Sequence, residues 1–205
     1  MIEPLRTPII QSLSPHPSDS EKIELIAKHF ESIMKTLGLD MDDGSLRQTP
    51  MRVATMYVQE IFSGLDPAKK PRMTLFKNKN AYSEMLIEKD ITFYSYCEHH
   101  FVPFFGKAHV AYIPGDYIAG LSKINRMVRY LAKKPGVQEQ LTVEIGHVLE
   151  RELRTADVAV VLEAKHLCIA SRGVEDDGST TLTSYFHGQC STPDAKERFL
   201  YCIGH

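Results

Sequence analysis

Ile91-Thr92-Phe93-Tyr94-Ser95-Tyr96-Cys97-Glu98-His99-His100-Phe101 alternates in polarity and then ends in a thiol and two imidazoles. Ile91, Phe93, Ser95 and Cys97 fall on one face of a strand, with Thr92, Tyr94 and Tyr96 on the other. The strand therefore delivers Cys97 in register. Cys97 and His100 have the C-x-x-H spacing of a metal half-site. Residues three apart on a regular strand face opposite ways, so the two can share an ion only if the backbone turns or bulges at Glu98-His99.

The complementary donors lie downstream, in Lys165-His166-Leu167-Cys168. Val158, Val160, Leu162, Ala164, His166 and Cys168 follow strict period two, which predicts a strand whose apolar face turns polar at its far end. A single Cys in an apolar strand is ordinarily a small buried hydrophobe. Two such clusters in one chain argue instead for a ligand set. Cys97, His100 and Cys168 make three donors with no obvious fourth, which favours a catalytic zinc with an open position for water over a closed structural zinc. His166, expected on the same face as Cys168, stands where a proton donor is needed.

Working outward, the order of elements predicts an α+β domain: an antiparallel four-stranded sheet with helices packed on one face, preceded by an N-terminal helical hairpin. Residues 1–17 carry Pro4, Pro8, Pro15 and Pro17 and read as a loosely attached arm. Residues 18–64 read as the hairpin. Ser18 and Glu21 form a capping box ahead of Ile23, Ile26, Phe30, Ile33 and Leu37, and Gly38 stops the run. Thr49-Pro50 opens a second helix that Gly64 ends. Residues 86–205 read as the core: strands over 86–97, 106–113, 158–168 and 180–186, a helix capped by Ser122, a longer helix after the Pro135-Gly136 break, and a short helix over 194–200.

The chain has 205 residues, 43% hydrophobic and 24% charged, enough for one substantial core. Its net charge of −2 argues against nucleic-acid binding. No apolar run approaches the roughly 18 residues that cross a bilayer. The start, Met1-Ile2-Glu3-Pro4, lacks signal-peptide order, so a cytoplasmic location is expected. Four Cys are too few for a disulfide framework; Cys190 and Cys202 read as ordinary free thiols.

Cations and acceptors gather around the ligand-bearing segments. Ser122, Lys123 and Arg126 stand in the first turn or so of a helix, a favourable place for an anion. Arg172 follows Cys168 by four residues, and Arg52 lies in the first turn of a helix, against the dipole, where it must be used or solvated. Gln138 and Glu139 open the long helix, and a carboxylate there can accept both the ring N–H and the exocyclic amine of a guanine edge, a pair that adenine does not offer.

Cys97-Glu-His-His-Phe101, Gly120-Leu-Ser-Lys-Ile-Asn-Arg126, Val137-Gln-Glu139 and His166-Leu-Cys-Ile-Ala-Ser-Arg-Gly173 together resemble the GTP cyclohydrolase I family. The resemblance runs from the first helix to near the C-terminus. It implies a tunnelling fold (T-fold), a homodecamer of two stacked pentamers with active sites between subunits, and conversion of GTP to 7,8-dihydroneopterin triphosphate with loss of formate, the first step of folate and pterin biosynthesis. It implies one zinc per subunit on Cys97, His100 and Cys168, with His99 and His166 as catalytic histidines. Gln138 and Glu139 match guanine contacts, and Ser122, Lys123, Arg126, Arg172 and Arg52 match ribose and triphosphate contacts. The arm and Tyr185-Phe186-His187-Gly188-Gln189 depart from the family pattern; neither touches the expected site. Two rival readings remain: another T-fold pterin or deazapurine enzyme, which need not keep a three-ligand zinc, and a nucleotide-binding scaffold whose structural zinc takes His99 or His166 as a fourth ligand.

Overall fold

The computed structural model describes residues 17–204, so the expected arm lies outside the described residues except for Pro17. The chain divides into two compact units between Glu60 and Ile61. In the first, α1 (Asp19–Thr36) begins with the full Ser18/Glu21 capping box, and Gly38, at φ +80°, follows its end. Its expected apolar stripe is only partly covered: α1 buries Ala27 and Met34, whereas Ile33 and Leu37 are exposed. α2 (Thr49–Thr55) takes Gln48 as its N-cap, one residue earlier than the sequence predicts, with Pro50 in the first turn; a π-helical turn, Met56–Ile61, continues it. Pro50 fits there because its missing N–H would have no partner in a first turn.

The second unit begins with 3-10 turns at Ser63–Leu65 and Pro67–Lys69. Then come β1 (Leu75–Lys77), β2 (Leu86–Cys97), β3 (Pro103–Tyr112), β4 (Tyr117–Ala119), α3 (Leu121–Ala132), β5 (Pro135–Gly136), α4 (Gln138–Leu153), β6 (Val158–His166), α5 (Leu167–Ala170), β7 (Thr181–Phe186) and α6 (Pro193–Ile203). The main sheet has the order β5-β2-β3-β6-β7, and β1 pairs with β4 in a separate ribbon.

This corrects the four-stranded antiparallel expectation. Pro135 and Gly136, read from sequence as a break, pair in parallel with Tyr96 and Cys97 and make the sheet five-stranded and mixed. Proline is tolerated there because β5 is an edge strand. Gly64 also has a packing role beyond ending a helix: its N–H donates to Lys133 O at 2.8 Å, and a Cβ would strike the Tyr130 and Lys133 carbonyls.

Helices cover both faces, not one. Phe93, Phe104 and Leu162 pack with Ile124 and Met127 of α3 and with Ile145 and Leu149 of α4. On the opposite face Ala111, Ala159 and Val161 pack with Phe199 of α6. The sequence carried the sign of this: Val158-Ala-Val-Val-Leu162 is a continuous apolar run, as a strand buried on both faces requires. Complete burial of a side chain such as Phe93 or Phe104 stabilises the fold by about 1.5–3 kcal/mol.

Register fixes which residues share one end of the sheet. Tyr96 lies opposite Pro103, Phe104 opposite His166, and Ala164 opposite Thr181, while Cys97 pairs with Gly136 immediately before α4. Cys97, His166, Gln138 and Thr181 therefore gather at one end, and Leu86, Tyr112 and Val158 at the other.

Candidate active site

The chain reverses tightly after Cys97. Cys97 N–H donates to Val102 O at 3.0 Å, Phe101 N–H donates to Cys97 O at 2.8 Å, and Glu98 N–H reaches Gly136 O at 3.2 Å. Phe101 takes a left-handed φ of 53°, which costs a residue with a Cβ on the order of 1–2 kcal/mol. Its ring packs edge-on to Phe62 at 5.3 Å. This turn supplies the reversal that the C-x-x-H spacing requires.

Cys168 arrives differently from the sequence reading. β6 ends at His166, and Cys168 lies on α5, where Ser171 N–H donates to Leu167 O at 2.9 Å. Period two fails at the last step because the backbone coils into a helical turn, and Cys168 still packs against the main core. One donor atom each from Cys97, His100 and Cys168 then lies within 4.8 Å of the others.

The chemistry of this set fits a divalent cation. Burial, and next the neighbouring Cys97, push the Cys168 thiol above its ordinary pKa, because two adjacent thiolates repel; the Arg172 guanidinium opposes the shift. A cation removes that repulsion and favours both thiolates. Thiolate sulfur with imidazole nitrogen suits zinc. Three protein donors leave a tetrahedral position open, and among the described residues neither His99 nor His166 joins the set.

His99 is exposed beside the set, with Nδ1 3.5 Å from Cys97 Sγ and Nε2 3.8 Å from Glu98 Oε1. Arg172, also exposed, puts its guanidinium 3.0 Å from His100 Nε2. His166 closes β6 with its ring stacked on Phe104 at 4.7 Å and 3°. Burial holds the His166 pKa below the ordinary value of 6.5, while the charge of Glu139 acts in the opposite sense. Glu139 is exposed in the first turn of α4, and Gln138, expected beside the base, is 1% exposed with its side-chain amide committed within the protein. Thr183 and Thr142, which help hold that amide, were missed from sequence. Threonines in a strand and a helix carry no signal of such a role.

Ser122, Lys123 and Arg126 are not brought to this end by their own chain. Ser122 is the second residue of α3, not its cap, since Gly120 is the N-cap. α3 starts after β4, where Ala119 N–H donates to the Tyr112 hydroxyl at 3.0 Å, and ends just before β5. Ser122, Lys123 and Arg126 thus lie toward the end of the sheet opposite Cys97. Arg52 is exposed on the first unit.

The sequence pattern of a family described as GTP cyclohydrolase I matches residues 26–204. GTP cyclohydrolase 1 of Flavobacterium johnsoniae is 54% identical over 183 residues, covering 89% of this chain and 82% of that protein. The protein of the same name from Aeromonas hydrophila is 48% identical over 199 residues, covering 97% and 90%. That of Escherichia coli O1:K1 / APEC is 47% identical over 204 residues, covering 98% and 89%.

Proposed function

The chain belongs to the GTP cyclohydrolase I family, and from that premise we propose that it is the hydrolase that opens the imidazole ring of GTP, releases formate and forms 7,8-dihydroneopterin triphosphate, the first step of folate and pterin biosynthesis. The observation that carries the reading is the convergence of Cys97, His100 and Cys168, two thiols and an imidazole within 4.8 Å. They hold one zinc. Bound there, zinc supplies Lewis acidity, which brings the ionisation of water down toward about pH 7.

The chain's own residues do the rest. His166 delivers a proton to N7 of the base, which makes C8 electrophilic toward water. Two additions of water at C8 break the C–N bonds that hold it and release it as formate. His99 serves the later proton transfers, in which the opened ribose rearranges and closes onto the freed amine. Glu139 accepts the guanine N1–H and exocyclic amine, with Gln138 beside it at the start of α4. Ser122 contacts the sugar, and Lys123, Arg126, Arg172 and Arg52 bind the triphosphate.

The placement of α3 supports an active site shared between subunits, since Ser122, Lys123 and Arg126 stand on a helix that starts toward the end of the sheet opposite their own Cys97. The open edge of β7 gives a ring of subunits something to pair with. Two stacked pentamers in the tunnelling fold, working in the cytoplasm, are the assembly proposed. Elemental analysis tests the metal: the parent holds one zinc per chain, Cys168→Ser loses it while keeping its fold, and full zinc in that variant would overturn the assignment.

A further inference from the structure

The side-chain amide of Gln138 sits in a closed polar network. Its Nε2 lies 3.1 Å from Leu162 O, 2.9 Å from Thr181 O and 3.0 Å from Thr183 Oγ1. Its Oε1 lies 2.7 Å from His166 Nε2. Thr142 Oγ1 donates to Gln138 O at 2.7 Å, so in the 2.6 Å contact between the two threonines Thr183 is the donor. The network has one consistent assignment of hydrogens. A backbone carbonyl can only accept, and two of them face one end of the amide, so that end must be the NH2 group. The reversed amide would set its oxygen against both carbonyls in a site that is 1% exposed, where an unpaired polar group is costly. Oε1 therefore faces His166, and an oxygen with no hydrogen requires N–H from the ring.

We infer that Gln138 is a positioning residue for His166: its locked amide accepts the Nε2–H and keeps that nitrogen turned into the protein, so that Nδ1 is the nitrogen that takes up a proton from solvent and passes it to the base, the ring returning to the neutral Nε2–H form. Stacking on Phe104 sets the plane of the ring, and Gln138 sets its rotation within that plane. Gln138 then has no side-chain hydrogen or well-placed oxygen to spare for the base, so its adjacency to Glu139 divides two tasks between neighbours. Glu139, exposed, reads the substrate; Gln138, buried, holds the acid. The inference rests on the reading of His166 as the proton donor.

The test is the tautomer itself. Solid-state 15N spectra of the zinc-supplemented full chain, labelled at histidine nitrogen and assigned by difference from His166→Asn, should show His166 protonated at Nε2 in the neutral ring and in the imidazolium alike. A neutral ring protonated at Nδ1 with Nε2 bare overturns the inference, whatever any variant does. In kinetics, Gln138→Met should lower kcat by roughly 10- to 100-fold, the loss typical of an outer partner that fixes a histidine ring, with KM for GTP and zinc content little changed. Gln138→Glu, whose protonated carboxyl can donate to a carbonyl and accept from His166, should recover part of that loss. Parental kcat in a folded Gln138→Met protein refutes the role. If the His166 assignment is what fails, His166→Ala will turn over at the parental rate, a result separate from the tautomer.

Discussion

Mixing Cys168→Ser subunits with Arg126→Ala subunits, each inactive alone, should restore activity. Arg129, on the same helix as Arg126, donates from Nε to Thr92 O at 3.2 Å, which fixes how α3 lies along β2. Thr92 is five residues short of Cys97, about 17 Å along a strand. Arg126 lies three residues further back along α3, about 4–5 Å more, and Ser122 about 10 Å beyond Arg129. One chain therefore separates Cys97 from its helix cations by on the order of 20 Å, and a site that uses both would draw them from two chains. In a random mixture closed into rings, a site is whole when the donor-bearing chain keeps Cys168 and its neighbour keeps Arg126, so about one quarter of sites recover. The assay is formate release from GTP after dissociation, mixing and reassembly, with native mass spectrometry to show that the subunits have mixed. Cys168→Ser mixed with His100→Ala, two lesions in one donor set, is the control and stays inactive. Confirmed hybrids with no activity above the separate variants would refute the shared site.

His166→Ala should retain zinc and bind GTP while kcat falls about 100- to 10,000-fold, the span for loss of one general acid; single-turnover kinetics and elemental analysis read both. Glu139→Gln should erode a GTP-over-ATP preference on the order of 10,000-fold, since adenine leaves the carboxylate facing an acceptor, and competition binding checks it. Burial, and secondarily Asp157, pushes the Cys190 thiol up to about 11, so the folded state holds that proton above the ordinary value of 9.0. The resulting stability is complete below about pH 9 and is lost as pH rises through about 11; at pH 9.5 alkylation should modify exposed Cys202 quickly and spare Cys190 until the protein unfolds. Gly106→Ala should cost roughly 1–3 kcal/mol or more in chemical denaturation, because its Cβ would strike the backbone at Glu163 and Ala164.

The alternation from Ile91 to Cys97 was legible because a strand buried on one face must repeat every two residues, and the structure buries those four side chains. The Ser18/Glu21 box was legible for a similar reason: its chemistry is local. What escaped depends on partners distant in sequence. Pro135 and Gly136 carry strong turn signals, and only the nearby end of β2 makes them a strand. Cys168 fits period two as well as any residue of β6, and nothing local announces that the chain coils after His166. Ser122 looks like a cap by residue type, yet Gly120 has the extended backbone that a cap needs. That Cys97, His100 and Cys168 come together could be expected from donor type and spacing, whereas the hold of Gln138 on His166 could not, because it is completed by carbonyls of β6 and β7 that have no side-chain signature.

The most direct measurement is to supply GTP to the zinc-loaded protein and follow formate together with the fluorescence of the oxidised pterin, before and after chelation and zinc replacement. Formate should appear equimolar with GTP consumed, together with a fluorescent pterin that keeps its triphosphate, and both should be lost on chelation and return with zinc. GTP left intact by protein that carries its zinc, or consumed with release of phosphate and no formate, would contradict the proposed activity.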